Sequence, residues 1–401
     1  MDCPYSEYEL ENYADVLFWA LTTSRAVPFK NAETVAIHFD LAAAPLAEAV
    51  YARLLAAHLH PVPLARMTSA METQLYQGSF GQLVSQWPGQ AELFASISGM
   101  ITILAPDSLG HLSRVDPRIL ATAAEAAQPT RGIFERRKQK GEAGWTVCVY
   151  PTPALAQAAG MDFGEYARQV LRACYLTGPD PVRQWKQARQ ELGEVAKWLN
   201  SLKAMDFHLE SEGADLHVQP GLQRRWVGAN GHNVPGCELY FSPDWRGVHG
   251  VFCADMPSIR HGHVVRGARL EFAGGLLVGV RTESGQVFLN RQVASVRNAG
   301  KVGEFSLTDR RHSQVSRFMA HTLLDENHGG EFGNCHLALG AAYPETYAGP
   351  VYELTPELAD ELGFNVSPIH WDMISTEPRR VTATLADGSR VCVYEDGEFK
   401  Y

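Results

Sequence analysis

The sequence predicts two domains of different class: an α/β N-terminal domain, mainly a parallel sheet with helices, followed by a mainly antiparallel β, α+β C-terminal domain. Three observations carry this. At 401 residues the chain exceeds a single core, since domains usually run to ~100–200 residues. The first half alternates strand-like with helix-like segments, whereas the second strings together short alternating runs broken by turn signals. A long helical pattern lies between them, which sets the expected domains at 1–200 and 201–401.

In the first half the strand candidates are Thr34–Phe39 (TVAIHF), Met100–Leu104 (MITIL) and Trp145–Tyr150 (WTVCVY). Between them Leu46, Val50, Leu54 and Ala57 recur at helical spacing, as do Phe163, Tyr166, Val170 and Cys174. The closing helix is expected from Pro181, with Asp180 as its N-cap and Val182, Trp185, Leu192, Val195, Leu199 and Leu202 along one face. Asp206, Phe207 and His208 then open a β-rich region. Gly274-Gly275 and Asp387-Gly388 each sit between apolar runs and predict hairpins. A short helix is expected near Asp309–Thr322.

Composition excludes several functions. Lys plus Arg is 35 against 45 Asp plus Glu, a net charge of −10, which argues against a phosphate-backbone binder of nucleic acid. The dense basic run Arg136, Arg137, Lys138 and Lys140 reads as a solvated helix end. No stretch has the ~20 apolar residues of a spanning helix, and the acidic N-terminus does not resemble a secretory signal. Seven scattered cysteines without a CxxC pair suggest a cytoplasmic chain free of disulfides. Walker A, GxGxxG, HExxH and GxSxG sequences are all missing.

The second half holds the chemistry-bearing residues. His370-Trp371-Asp372 lies in a strand-like run, and residues two apart in a strand project to the same face. An imidazole and a carboxylate side by side suit a divalent metal, although a lone HxD is more often a surface pair. His336 alternates with Cys335 and Leu337, a pattern that alone also fits a hydrogen-bonded core histidine. Glu238 and Glu304 are single carboxylates in apolar runs, costly to bury unless paired or bound to a cation. Cys237 and Cys335 are expected on the opposite face to the neighbouring donors.

These runs, taken in order, resemble the aminopeptidase T / aminopeptidase S / PepS family of metallopeptidases. They are NVPGCELYFSP (Asn233–Pro243), VGEFSL (Val302–Leu307), TLLDEN with CHLALGAAYPET (Thr322–Thr346), and HWDMI (His370–Ile374). The resemblance covers nearly the whole chain. It implies metal ligands at Glu238, Glu304, Glu326, His336, His370 and Asp372, and an active-site tyrosine at Tyr343. One departure is an insertion, His328–Phe332, which places Glu331 at the spacing that the family glutamate often holds before the histidine. Glu326 keeps the family context and is preferred, with Glu331 as the alternative. The glycine-rich stretch Gly329–Gly333 is either a mobile loop over the metals or a plain surface insertion.

Four carboxylates and two imidazoles exceed the needs of one catalytic zinc and suit two divalent ions sharing a carboxylate. The resemblance implies metal-dependent removal of N-terminal residues from peptides by an activated water. Glu304 is expected to bridge the ions and Tyr343 to stabilise the oxyanion. Zinc, cobalt, manganese and magnesium are not distinguished by these donors. The resemblance also implies a homodimer, a peptide partner with a free N-terminus, and neither nucleic-acid nor membrane partners. One rival is a non-haem iron ring-cleaving dioxygenase using only His336, His370 and Asp372. The other is a β-rich binding module with a vestigial site.

Overall fold

The computed structural model describes residues 3–401 and divides into two compact units. Of the described residues, unit 1 comprises those up to 187 with 230–236, and unit 2 comprises 188–229 with 237–401. The division thus falls inside the helix Pro181–Leu202, and the segment 230–236, expected beyond the first domain, belongs to unit 1.

Unit 1 is built on parallel strands: β1 (Thr34–Phe39), β2 (His60–Ala65), β3 (Gly99–Leu104) and β4 (Gly144–Val149), in the order β2-β1-β3-β4. Asn233–Val234 adds a short parallel edge beside β4. The helix Ala44–Ala56 buries Leu46, Val50 and Leu54, and Phe163–Ala173 buries Tyr166 and Val170, as their spacing requires. Asp180 caps the following helix by accepting the Arg183 N–H at 2.9 Å. Trp185 is buried, its indole N–H donating to the Cys174 carbonyl.

Unit 2 contains a large antiparallel sheet and a smaller one that carries the site. The large sheet uses β5 (Asp206–Ser211), β6 (Asp215–Val218), β8 (Val248–Ala254), β9 (Ala268–Ala273), β10 (Leu276–Arg281), β14 (Arg379–Thr384) and β15 (Arg390–Glu395). Both expected hairpins, β9–β10 and β14–β15, are present. The smaller sheet runs β13-β12-β11-β7, with Val227–Gly228 at its edge. Its strands are β7 (Glu238–Phe241), β11 (Val302–Thr308), β12 (Asn334–Gly340) and β13 (His370–Ser375). Leu239, Phe241, Phe305, Leu307, Leu337, Leu339, Trp371 and Met373 point to one side and join the unit's main core. Period-two alternation sends the polar residues between them to the other side.

Two helical segments differ from the sequence expectation. No helix forms across Asp309–Thr322, and only Thr322–Asp325 is helical there. The buried Asp309 carboxylate takes the Arg311 and Phe399 backbone N–H groups and folds the chain into a turn instead. An unforeseen helix occupies Gln286–Ser295.

Candidate metal centre

The inner face of the smaller sheet can be read row by row from its register. Ser306 lies opposite both Tyr240 and His336; Ala338 lies opposite both Glu304 and Asp372; Gly340 lies opposite His370. Alternation therefore places Glu238, Glu304, His336, His370 and Asp372 on one face of four strands. The residue between Glu304 and Asp372 is only an alanine, which leaves space between the two carboxylates. Gly340 adopts φ 105°, where a Cβ would stand 2.1 Å from the Ile369 carbonyl, so the close β12–β13 approach beside His370 requires glycine.

The donors form two overlapping triads: Glu238, Glu304 and His336, and Glu304, His370 and Asp372. His336 Nε2 is 3.2 Å from Glu238 Oε2 and 3.5 Å from Glu304 Oε1. His370 Nε2 is 2.9 Å from Glu304 Oε2 and 3.2 Å from Asp372 Oδ1. Glu304 is thus shared, one oxygen facing each imidazole. Tyr343 packs its ring 4.5 Å from His370 and 5.5 Å from Tyr240, between centroids. The backbone N–H of Tyr343 is held by Ser242 Oγ at 2.7 Å.

Glu326 follows the short helix and is buried. Its neighbours fix it: Asp325 accepts the Met319 and His321 N–H groups, and Asn327 Oδ1 accepts the Cys237 N–H. The Glu326 carbonyl receives hydrogen bonds from Thr308 Oγ1 and Asn334 Nδ2, both on the donor-bearing face. Glu331, the alternative, is exposed, and its carbonyl is bound by Arg310. The glycine stretch around it is tied down, with Gly329 and Gly330 N–H groups donating to the Val315 carbonyl.

Electrostatics follow from this crowding. Burial, together with Glu238 and Asp372, raises the Glu326 carboxyl well above the usual range. Burial also raises Glu238, although the hydrogen bond with His336 opposes it. Burial pushes Glu304 upward, but hydrogen bonds with His336 and His370 outweigh it and leave it lowered. Asp372 ends at about 2: burial works against ionisation, and His370 more than compensates. Burial disfavours charge on His336 and His370, yet the surrounding carboxylates raise both well above their ordinary value. Burial and then Glu304 keep the Tyr343 phenol protonated far above neutrality.

The residues fit divalent cations. His370 Nδ1 is 2.8 Å from the Ala341 carbonyl, which can only accept, so that nitrogen carries a proton. The Asn334 amide nitrogen donates to the Glu326 and His328 carbonyls, which turns its oxygen toward His336 Nδ1 at 3.3 Å. In the neutral form both rings therefore aim a bare Nε2 at carboxylate oxygens. Such lone pairs repel unless a proton or cation lies between them. Four buried carboxylates also call for positive charge, and their mixture with imidazole is the donor set of zinc and similar ions. The carbonyl and amide behind each ring supply the outer support typical of metal-binding histidines.

Asn334, Ser306 and Asn327 were not anticipated from sequence. Asn334 was detectable, because it sits two residues before His336 in a strand; Ser306, which donates to Glu238 Oε2 at 2.9 Å, sits two residues after Glu304 in another. Cys335 lies in the core as expected, and Cys237 is buried, its thiol directed to the His312 carbonyl.

The clustered buried carboxylates and imidazoles on one face of a β-rich unit form a candidate site for divalent metal. The chain belongs to the family described as Thermophilic metalloprotease (M29), whose profile matches residues 6–399. Aminopeptidase AmpS of Bacillus subtilis (strain 168) is 26% identical over 337 residues, 78% of this chain and 79% of its own. Aminopeptidase 2 of Geobacillus stearothermophilus is 24% identical over 418 residues, covering 98% of each chain. Among solved structures, wild-type AmpT from Thermus thermophilus superimposes with a TM-score of 0.80 at 20% identity, covering 97% of this chain and 99% of that one. At that identity the likeness establishes the shared fold.

Proposed function

We infer that this metallopeptidase is an aminopeptidase, removing N-terminal residues from peptides at the face shared by β7, β11, β12 and β13. The observation that carries the reading is Glu304, set between two imidazoles so that two donor triads share one carboxylate. Glu238, Glu304 and His336 would hold one divalent ion, and Glu304, His370 and Asp372 a second, with Glu326 completing the set. Zinc and cobalt suit these donors, as do manganese and magnesium. When bound, the ions supply a water activated near neutral pH and a polarised scissile carbonyl.

The chain's own groups do the remaining work. Glu304, shared between the two donor triads, would orient the water toward the peptide carbon. The protonated Tyr343 phenol donates to the oxygen on which negative charge develops. The carboxylate-rich face attracts the substrate's positively charged α-amine, which favours cleavage from that end. Asn334 and the Ala341 carbonyl hold the imidazoles in the required tautomer. The named aminopeptidase relatives support this activity, and none of them supports a ring-cleaving dioxygenase. A site built only on His336, His370 and Asp372 also gives no role to Glu304, which lies nearer to both rings than Asp372 does.

No helix among the described residues is long and apolar enough to cross a membrane, and none of the seven cysteines is in a disulfide. We propose a cytoplasmic location, which cell fractionation would test, and from the family resemblance a homodimer, which sedimentation would test. The deciding experiment is Glu304→Gln assayed on an aminoacyl chromogenic amide with added metal. Turnover should vanish while circular dichroism stays unchanged; activity like that of the natural chain would refute the role.

A further inference from the structure

Outside this centre, three imidazoles stand in one row on the solvent face of the large sheet. His208 on β5 lies opposite His217 on β6, and His217 opposite His249 on β8. Their rings are stacked, with centroids 4.1 Å apart at 7° and 4.9 Å apart at 4°. The stacking brings ring nitrogens of neighbouring strands close together, and a neutral imidazole can donate a lone pair to a metal.

Carboxylates surround the first two rings in an ordered way. Asp215 Oδ1 is 2.7 Å from His208 Nε2, and one donor atom from each of His208, Asp215 and His217 lies within 4.8 Å of the others. Asp206 Oδ2 holds His217 Nδ1 at 2.7 Å, and Glu210 Oε2 faces His208 Nδ1 at 3.6 Å. For His217 the carboxylate behind Nδ1 fixes the tautomer and leaves Nε2 as the ligand atom, the usual support for a metal-bound histidine; at His208 an ion would take the place of the proton that Nε2 shares with Asp215.

We propose that His208, Asp215 and His217 form a second metal site, independent of the catalytic centre, for an imidazole-preferring divalent ion such as zinc. Asp206 orients the His217 ring, and water completes the coordination. The rings lie parallel, so binding turns them about their side-chain bonds until the lone pairs converge; His249 is exposed and adjacent and can join as a further ligand. Each ring binds as neutral imidazole, and any proton it carried passes to solvent. The ion would clamp β5 to β6 and stabilise that hairpin without touching peptide chemistry.

The test is equilibrium dialysis of the full chain, stripped with chelator, against Zn2+ alone. The natural chain should retain one more zinc than His208→Ala/His217→Ala, and Asp206→Asn should weaken that zinc roughly ten-fold. Peptidase activity in the metal-loaded double variant should be unchanged. Loaded with copper, the natural chain should show, by electron paramagnetic resonance, a nitrogen-coupled signal additional to that of the catalytic centre, and the variant should lack this additional signal. An identical zinc count in the natural chain and the variant would overturn the proposal and leave ordinary ion pairs. Should the alanine variant fail to fold, His208→Gln/His217→Gln provides the same comparison. The metal count does not depend on turnover, so an error about peptide hydrolysis would not disturb the result.

Discussion

Asn334→Ala tests how far the metal centre depends on a side chain that is not itself a ligand. Asn334 is fully buried, donates to the Glu326 and His328 carbonyls at 2.9 and 2.7 Å, and accepts from His336 Nδ1 at 3.3 Å. A hydrogen bond contributes about 1 kcal/mol net, and a buried group stripped of its partner costs about 1–3 kcal/mol more. The Glu326 carbonyl keeps Thr308 Oγ1, so the main penalties fall on the His328 carbonyl and on His336. The expected destabilisation is about 2–4 kcal/mol. Freed from its partner, His336 can place its proton on either nitrogen, and metal affinity should fall about 10–100-fold. Urea unfolding of the metal-free chain reads the first effect and zinc titration the second. Asn334→Asp keeps an acceptor for His336 but loses both donors, so it should recover affinity more than stability. If Asn334→Ala unfolds within about 0.5 kcal/mol of the natural chain and binds zinc equally well, the account of ring orientation is wrong.

Three further outcomes are expected. Glu326→Gln should lower metal affinity and abolish most turnover, whereas Glu331→Gln, at an exposed position, should do neither; the reverse pattern would move the ligand to Glu331. Tyr343→Phe should reduce kcat by about 10²-fold with little change in metal content, because it removes one oxyanion donor; an unchanged kcat would exclude that role. Unit 1 should lose stability on acidification. Burial, aided by Arg66, lowers His38 to about 4, and burial, aided by Lys138, lowers His232 to about 3. Both stay neutral when folded while the unfolded chain takes up protons below about pH 6.5. Stability is therefore intact above that pH and falls progressively toward pH 4 and then 3, by up to about 3 kcal/mol for His38. Replacing both histidines with glutamine should flatten the dependence of the urea midpoint over that range, and an unaltered slope would count against it.

Local pattern made much of this protein legible. Thr34–Phe39, Met100–Leu104 and Trp145–Tyr150 mark strands because β-branched and aromatic residues fill them, and the Leu46–Leu54 stripe marks a helix because its period is near 3.6. Period two in CHLALG and HWDMI likewise separates His336, His370 and Asp372 from their core-facing neighbours. The failed helix near Asp309 has the opposite cause: a carboxylate suited to an N-cap found distant partners, including the Phe399 N–H, that sequence spacing cannot reveal.

The sequence by itself determined which side chains share a face within each strand, since alternation is a property of one segment's backbone. Only the tertiary structure decided that Ala338 stands between Glu304 and Asp372, that Glu304 is shared by both triads, and that the Asn334 amide turns its oxygen toward His336. It also decided that residues 230–236 join unit 1. Strand register and long-range hydrogen bonds arise from pairing between segments far apart in the chain, and a shift of one residue would turn each donor to the core.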